Sequence, residues 1–446
     1  MSGLAKLLLK HGARVRGSDQ AQSRTVEKLC RLGADIKIGH SAGHLACDTE
    51  TVVISAAVEN DNPELVAARQ RGCKIKKYAE MLGELMNGYD GIAVAGTHGK
   101  STTAGWLSYV LKQARLEPNY IIGAEITQLH NSSGAGSGRH FVVEACEYDR
   151  SFLNLRPKVA CVLNIEPDHL DYYRDEGQIV EAFCEFASGI KAGGTLVANY
   201  TDPNVRKVTA ALPSNVNCRT FGFDDRCDFV ARNARLLDGT YSFELVGDGK
   251  LLGSTHIQMP GKHNVLNALA VIAMTQAAGL EGTEVLEHLP GFAGIDRRLM
   301  LKAQIDGVTI LDDYAHHPTE IKASLGAIRQ RYEPSRLWCV FQPHQYSRTR
   351  FFLDDFAESF KLADITIVPE IYFVRDSQQD KKEINARILI ERIRDNGSEA
   401  IFIESFEAIC DYLRQNVTPG DVVVTMGAGN IWKVADEFIQ WLGKNR

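Results

Sequence analysis

Short apolar runs alternate with amphipathic stretches along most of the chain. Over the first 88 residues this pattern predicts a helix near 2–11, the end of a strand at 15–17, a helix near 22–32 and a buried strand at 51–55. Apolar runs bounded by turn residues are typical of buried strands, and the stretches between them have helical spacing. We therefore predict a small βαβ domain at the start of the chain.

Two turn-rich segments, at 87–91 and 290–294, divide the remaining sequence. Between and after them, apolar strands alternate with helical stretches. Strands are predicted at 141–143, 159–163, 195–198, 308–311, 337–341, 364–368, 400–403 and 421–425, and a helix at 264–278. This order is typical of mostly parallel sheets. We predict an α/β protein with domains at 1–88, 89–295 and 296–446.

The first domain lacks its expected beginning. A doubly wound domain normally starts with a strand and a tight glycine turn before its first helix, whereas this sequence starts inside that helix. We therefore expect an N-terminally incomplete, Rossmann-like domain. The second and third domains are expected to be a central sheet of the P-loop ATPase type and a further Rossmann-like domain.

The clearest chemical signal is a phosphate-binding loop after the apolar run at 92–95. It consists of Gly96, Thr97, His98, Gly99, Lys100, Ser101 and Thr102, and it opens a helical stretch. Glycines let backbone N–H groups face an anion, a lysine adds a point charge, and a serine hydroxyl ligates Mg²⁺. The full Walker pattern has a glycine where this chain has Val94, so the loop is a shortened variant. It predicts a nucleoside triphosphate site.

Three further polar segments follow predicted strands or open a predicted helix. Glu144 ends one strand and is expected to hold Mg²⁺, although an ordinary acidic turn also explains it. His169 lies among carboxylates and offers a ligand to a second cation, although a lone histidine is usually structural. Asn264 and Asn267 lie one helical turn apart and can face an adenine edge, but a helix cap explains them equally well.

Composition narrows the classes of ligand. The 446 residues fit about three domains on the usual size range. A net charge of −6 argues against a nucleic-acid surface, and no apolar run is long enough for a membrane span. Ten scattered cysteines without a C-x-x-C motif indicate reduced, mostly buried thiols. We expect a cytoplasmic protein with small-molecule ligands, no nucleic-acid partner and no membrane partner.

These motifs together resemble the Mur ligase family of peptidoglycan synthesis over nearly the whole chain. The resemblance rests on the phosphate loop, Glu144 and the segments 164–171, 263–268, 291–298, 312–318, 341–344 and 426–429. The segment 312–320, Asp-Asp-Tyr-Ala-His-His-Pro-Thr-Glu, is most similar to the branch that adds L-alanine. The branches adding D-glutamate, diaminopimelate or D-Ala-D-Ala resemble it less closely here.

The resemblance implies a ligase reaction. ATP phosphorylates the lactyl carboxylate of UDP-N-acetylmuramate, the amine of L-alanine attacks the acyl phosphate, and ADP and phosphate leave. ATP and Mg²⁺ are the implied cofactors, and the implied assembly is a monomer or homodimer. An alternative in the same family is the recycling ligase that attaches a preformed tripeptide. A non-catalytic nucleotide-binding relic is a second alternative, and a switch GTPase is a distant third.

The resemblance also assigns residues to roles. The implied catalytic residues are Lys100, Glu144, His169, Asp313 and His316, and the implied metal ligands are Ser101, Glu144 and His169. The implied ATP-binding residues are the phosphate loop, His263, Asn264, Asn267 and Arg297, with Arg297 and Asp313 approaching as the third domain closes. The implied substrate residues are Tyr314, His344 and Arg348. Of the adjacent His316 and His317, one is expected to face the site and the other to pack structurally.

The sequence departs from the family pattern in three places. Gln345 replaces an arginine, which puts an anionic contact in doubt, and Arg350 is a candidate to compensate. Arg348 and Arg350 also fit a solvated helix start.

Residues 175–190 contain no lysine, so a carbamylated lysine is not expected there. The missing first strand has two explanations: a start codon assigned too late, which we favour, or a truncated domain with impaired substrate binding.

Overall fold

The computed structural model describes residues 1–374 and 376–444, and the chain forms two compact units. Unit 1 comprises Met1–Val230, Val246–Leu252 and Leu269–His288. Unit 2 comprises Ala231–Leu245, Gly253–Ala268 and Leu289–Arg446. Within its last range the structure describes residues 289–374 and 376–444. The boundaries predicted at residues 88 and 295 remain predictions.

The first part of unit 1 consists of short helices and strands. In chain order these are α1 (Ser2–Lys10), β1 (Arg16–Asp19), α2 (Arg24–Arg31), β2 (Asp35–Ile38), β3 (Thr51–Ile54), α3 (Pro63–Gln70), β4 (Lys74–Lys77) and α4 (Tyr78–Met86). β1 pairs with β2 and β3 pairs with β4, in both cases in parallel. Ser23 caps α2, and Asn62 caps α3 ahead of Pro63. Such caps satisfy backbone N–H groups that the first helical turn leaves open.

A large sheet with flanking helices follows. Its elements are β5 (Asp90–Ala95), α5 (Lys100–Gln113), β6 (Asn119–Ile126), β7 (Asn131–Gly134), β8 (His140–Glu144), β9 (Val159–Val162), α6 (Glu176–Ser188), β10 (Thr195–Asn199), α7 (Pro203–Ala210), β11 (Asn217–Gly222), β12 (Phe229–Leu237), β13 (Thr240–Gly247), β14 (Lys250–Ile257), α8 (His263–Ala277) and α9 (Gly282–His288). The strand order is β14-β13-β12-β11-β10-β9-β5-β8-β6-β7. Strands β12–β14 and helix α8 are divided between the two units.

This order places the ends of three strands side by side. β5 lies between β8 and β9, and all three are parallel. Their residues are almost entirely buried, and Phe141, Val143 and Val162 belong to one apolar core that also includes Phe183 of α6. Burial on both faces explains why these strands are nearly continuous apolar runs. The loops after β5, β8 and β9 therefore share one edge of the sheet.

Unit 2 contains a second sheet. Its elements are β15 (Met300–Ile305), β16 (Val308–Asp313), α10 (Pro318–Tyr332), β17 (Leu337–Phe341), α11 (Tyr346–Phe351), α12 (Leu353–Ser359), β18 (Ile365–Val368), α13 (Gln378–Glu383), α14 (Ala386–Asp395), β19 (Ala400–Phe402), α15 (Phe406–Asn416), β20 (Val422–Met426) and α16 (Trp432–Lys444). The strand order is β15-β16-β20-β17-β18-β19. Only β15 pairs in an antiparallel manner among these described strands. The ends of β16, β20 and β17 therefore lie together.

The α/β fold is confirmed, and the strands and helices predicted above are present with small differences at their ends. The strands that the sequence pattern did not predict are β2, β4, β6, β7, β11, β15 and β12–β14. The last three are linked by two-residue turns at 238–239 and 248–249. Both turns are Asp-Gly with positive φ angles, which is the usual signal of a β-hairpin. That signal was present in the sequence.

The cysteine prediction is wrong in one respect. All ten cysteines are free thiols, but only Cys161, Cys227, Cys339 and Cys410 are buried. Cys30, Cys47, Cys146 and Cys218 are exposed, because they lie on helix surfaces, in loops or at a strand end rather than inside a sheet. Within the described parts of the chain, every helix is too short or too polar to cross a membrane.

Candidate functional site

The phosphate loop connects β5 to α5, and its shape depends on two glycines. Gly96 has φ +144° and Gly99 has φ +81°, backbone angles that residues other than glycine rarely adopt. A Cβ atom at Gly96 would lie 3.0 Å from Cβ of Leu163 and 3.2 Å from the backbone nitrogen of Asn164. A side chain there would push the loop away from β9. Gly99 caps α5, so the start of that helix faces the loop.

Asn164, just after β9, holds the loop in place. Its Oδ1 accepts a hydrogen bond from the His98 N–H at 2.7 Å, and its Nδ2 donates to the His98 carbonyl at 3.1 Å. Its backbone carbonyl also accepts from the Thr97 N–H at 3.0 Å. The Thr97 hydroxyl accepts from the Glu166 N–H at 2.9 Å. The loop conformation is therefore built into the protein.

Lys100 is the first residue of α5, and its ammonium lies against the loop. Nζ donates to the carbonyls of Gly96 at 2.6 Å and Thr97 at 3.0 Å, and to Oε1 of Glu147 at 2.9 Å. Burial alone would lower the pKa of Lys100, but the Glu147 carboxylate raises it above the ordinary lysine value. Burial would raise the pKa of Glu147, but Lys100 and His169 lower it. Both groups therefore stay charged.

Ser101 and Glu144 come together at the neighbouring strand ends. The Ser101 hydroxyl donates to Oε2 of Glu144 at 2.8 Å, and the Gly123 N–H donates to the same oxygen at 2.7 Å. A hydroxyl and a carboxylate at this distance are the oxygen ligands that Mg²⁺ prefers. The donor set therefore fits the predicted magnesium ion.

His169 lies beside Glu147 rather than beside Glu144. Its Nε2 is 3.6 Å from Oε1 of Glu147 and 3.8 Å from Oδ2 of Asp168, and its ring contacts the Tyr148 ring edge-on at 5.0 Å. Glu147 is not among the residues predicted for the site from the sequence. Its position three residues after Glu144 was the available signal. Its contact with Lys100 is tertiary and could not be seen in the sequence.

The segment 261–268 belongs to unit 2, and its amides bond to each other. Nδ2 of Asn264 donates to the Pro260 carbonyl at 2.7 Å, and Nδ2 of Asn267 donates to Oδ1 of Asn264 at 2.9 Å. Both side chains are buried, and His263 is the first residue of α8. These bonds fix the start of the helix. An adenine contact for these residues remains a prediction.

Arg297, which precedes β15, forms one cluster with residues at the end of β16. Nε of Arg297 donates to Oδ2 of Asp312 at 3.0 Å, and Nη2 donates to the Gly427 carbonyl at 2.6 Å. The Arg297 carbonyl accepts from the Tyr314 N–H at 2.7 Å, and its guanidinium lies 4.9 Å from the centre of the Tyr314 ring. Arg297 thus connects the ends of β16 and β20.

Asp313 is a buried carboxyl group at the end of β16. Its Oδ2 accepts from the Ser324 hydroxyl at 2.5 Å, and its Oδ1 accepts from the Ala315 N–H at 3.1 Å. Burial raises the pKa of Asp313 to about 6, against an opposing effect of Arg298. Asp313 is therefore a group that can exchange a proton near neutral pH.

The adjacent histidines have different surroundings. His317 caps α10, is 3% exposed and packs against the Phe352 ring. Nδ1 of His316 lies 3.1 Å from the Tyr314 carbonyl and 3.3 Å from Glu320, and its ring is 6.1 Å from the ring of His344. His316 is the histidine that joins the other predicted substrate residues.

His344 and Arg348 lie around the start of α11. The His344 ring stacks on the Tyr372 ring with 5.5 Å between centroids and 12° between planes. Arg348 is 8% exposed, so it does not form a solvated helix start. Gln345 has φ +73°, and its Nε2 points to the Val374 carbonyl at 3.5 Å.

Arg350 is the candidate to compensate for the family arginine that Gln345 replaces. Its guanidinium forms ion pairs with Asp380 and Glu383 of α13. Those contacts account for its charge. They argue against a compensating role at Gln345.

Comparison with known proteins gives a consistent result. Residues 1–90 match the Mur ligase family catalytic domain, residues 94–275 the Mur ligase middle domain, and residues 297–429 the Mur ligase glutamate ligase domain. A protein of Alkaliphilus metalliredigens named UDP-N-acetylmuramate–L-alanine ligase is 40% identical over 98% of this chain and 94% of its own length.

Solved structures that are similar over nearly the whole chain include two ligases. UDP-N-acetylmuramate–alanine ligase of Thermotoga maritima is 27% identical with a TM-score of 0.82, over 100% of this chain and 97% of that one. A murein peptide ligase of Psychrobacter arcticus is 24% identical with a TM-score of 0.71, over 99% of this chain and 96% of that one, and shows the fold alone. The chain belongs to the Mur ligase family.

Proposed function

We propose that the chain is an ATP-dependent ligase that joins L-alanine to the lactyl carboxylate of UDP-N-acetylmuramate. The observation that carries the proposal is the arrangement of Lys100 beside the Ser101–Glu144 pair on a preformed phosphate loop. The substrates come from the name of the Alkaliphilus metalliredigens relative, which is 40% identical over nearly the whole chain. The reaction supplies a precursor of peptidoglycan.

The proposed chemistry has two steps. A lactyl carboxylate oxygen attacks the γ-phosphorus of ATP, the bond to the β–γ bridging oxygen breaks, and an acyl phosphate and ADP form. The amine of L-alanine then attacks the acyl carbon, the carbon–oxygen bond to phosphate breaks, and the amine loses a proton. Both steps need positioning and charge neutralisation more than a protein nucleophile. Lys100 supplies one positive charge for them.

We assign the metal ligands to the described oxygen and nitrogen donors. Ser101 and Glu144 would hold Mg²⁺, and His169 would contribute to a second cation. Bound Mg²⁺ neutralises phosphate charge and orients the phosphate oxygens. The protein's part is to hold these side chains at adjacent strand ends, where Gly123 fixes the Glu144 carboxylate.

The acceptor amine would bind in unit 2, near Tyr314, His316, His344 and Arg348. Nδ1 of His316 lies at hydrogen-bonding distance from the Tyr314 carbonyl. With its proton on Nδ1, the neutral imidazole has Nε2 available as a proton acceptor. We assign His316 to receive the amine proton and Arg348 to bind a substrate carboxylate. We assign ATP binding also to His263, Asn264, Asn267, Arg297 and Asp313.

A phosphate-release assay tests the proposal. Purified protein receives Mg²⁺-ATP, UDP-N-acetylmuramate and either L-alanine or the tripeptide L-Ala-γ-D-Glu-diaminopimelate. We expect phosphate release that depends on L-alanine and on the nucleotide sugar. Phosphate release with the tripeptide as acceptor, but not with L-alanine, would instead assign the recycling reaction. Absence of ADP formation with every acceptor would indicate a nucleotide-binding relic.

A further inference from the structure

Within the described residues, the ammonium of Lys100 has three hydrogen-bond acceptors, and the charged one is Glu147. The two carbonyls it also contacts, from Gly96 and Thr97, carry only partial charge. The Glu147 side chain is 3% exposed and the Lys100 side chain 13% exposed. At this burial a charge-assisted hydrogen bond is much stronger than at a protein surface. Glu147 is therefore the strongest contact holding Lys100 in place.

The backbone of Glu147 is fixed from two sides. Its carbonyl accepts from the Tyr173 hydroxyl at 2.5 Å and from the Arg150 N–H at 3.0 Å. Nε2 of His169 also lies 3.6 Å from Oε1 of the Glu147 carboxylate. These contacts are independent of Lys100. Glu147 thus stays beside the phosphate loop whether or not the ammonium turns away from it.

A fixed carboxylate at this place opposes nucleotide binding in two ways. Before binding, it competes with phosphate oxygens for the Lys100 ammonium. After binding, it remains close to the phosphates and repels their negative charge. A loop built only for tight binding would not need it. Its effect is to weaken the affinity for the nucleotide, including the product ADP.

We propose that Glu147 is a positioning residue that sets nucleotide affinity by exchanging Lys100 with the phosphate oxygens, and thereby allows ADP to leave. The inference rests on the proposed function for the identity of the nucleotide. It assigns Glu147 no contact with the reacting atoms. Lys100 moves between two anionic partners, and no covalent bond changes.

The test is the dissociation constant for Mg²⁺-ADP, measured by isothermal titration calorimetry. Glu147→Gln keeps the shape and removes the charge, so we expect the dissociation constant to fall about tenfold. Asp149→Asn is the matched control, because Asp149 lies two residues away and pairs with Lys77 instead. We expect that variant to stay within about twofold of the unchanged protein.

A double-mutant cycle separates this exchange from a structural effect. In a Lys100→Met background, the competition for the ammonium is lost and only the direct repulsion of the phosphates remains, so Glu147→Gln should lower the ADP dissociation constant less than in the unchanged protein. Glu147→Asp, which keeps the charge on a shorter side chain, serves if the glutamine variant does not fold, and its affinity should lie between the two. An unchanged or weaker affinity in Glu147→Gln, or equal effects in both backgrounds, would overturn the proposal.

The calorimetric readout is independent of the ligase reaction. If the unchanged protein binds Mg²⁺-ADP but forms no product with L-alanine, the proposed function fails while the role of Glu147 is still measured. If the protein binds ADP and makes the product but the cycle shows no coupling, the role of Glu147 alone fails.

Discussion

The Ser101 hydroxyl donates a hydrogen bond to the Glu144 carboxylate across 2.8 Å, joining the start of α5 to the end of β8. These residues are 43 positions apart in the sequence. They meet because β5 and β8 are neighbouring parallel strands, so the segments that follow them share one edge of the sheet. The pair marks where the proposed magnesium ion and phosphates would bind.

Removal of the Glu144 carboxylate should lower the rate of the ligase reaction strongly. We expect Glu144→Gln to lower kcat on the order of 100-fold and to raise the Mg²⁺ concentration needed for half-maximal rate, because a neutral amide is a poor magnesium ligand. Magnesium titrations of ADP formation measure both effects. Ser108→Ala, which removes a hydroxyl bonded within α5, is the control. Equal magnesium dependence in Glu144→Gln and the unchanged protein would contradict the assignment.

Asn164 should matter for stability and nucleotide binding together. Asn164→Ala removes two hydrogen bonds to the His98 backbone. We expect a loss of about 1–3 kcal/mol in the free energy of unfolding, because two partly buried backbone groups lose partners. Urea unfolding measures this loss, and calorimetry should show weaker ADP binding. A variant with full stability and full affinity would show that the loop keeps its shape without Asn164.

Asp313 predicts a specific pH dependence of stability. Its pKa in the folded protein is about 6, against an ordinary value of 3.8, so the folded state binds the proton more tightly. The stabilisation from this group is therefore fully present below pH 3.8 and is lost as the pH rises through about 6. The shift corresponds to about 3 kcal/mol at pH 8.

Asp313→Asn removes this dependence, because its amide is neutral at every pH and can still accept from the Ala315 N–H. We expect the variant to have a higher free energy of unfolding than the unchanged protein at pH 8, and a similar one near pH 4. Urea unfolding across this pH range measures the difference. A constant difference at all pH values would contradict the raised pKa of Asp313.

Tyr372 is expected to affect the acceptor amino acid selectively. Its ring stacks on His344, and its backbone is tied to residues 343–345 by hydrogen bonds to Pro343 and Gln345. Tyr372→Ala should raise KM for L-alanine about three- to tenfold, from loss of the aromatic contact. KM for ATP should change by less than about twofold.

Tyr372→Phe keeps the ring and should restore the KM for L-alanine. Phe373→Ala is the control, because the Phe373 ring lies in the same segment but contacts Tyr346. Equal losses in Tyr372→Ala and Phe373→Ala would indicate a general effect on the segment instead.

The residues around the phosphate loop could be predicted from local motifs. Lys100, Ser101 and Glu144 stand next to apolar strands, and parallel strands bring their ends together by rule. The pairing of Lys100 with Glu147 and the stacking of His344 on Tyr372 depend on tertiary packing, which no local spacing encodes. His316 and His317 are adjacent in the sequence. Their roles could be separated only after the start of α10 and the position of Phe352 were known.

The most direct measurement of the central claim follows oxygen from the nucleotide sugar. UDP-N-acetylmuramate labelled with ¹⁸O in the lactyl carboxylate is incubated with the protein, Mg²⁺-ATP and L-alanine, and the released phosphate is analysed by mass spectrometry. Because the carboxylate oxygen becomes the bridging oxygen of the acyl phosphate, we predict one ¹⁸O atom in each phosphate and one new amide-linked product. Unlabelled phosphate, or product formed only with the tripeptide, would contradict an L-alanine ligase that acts through an acyl phosphate.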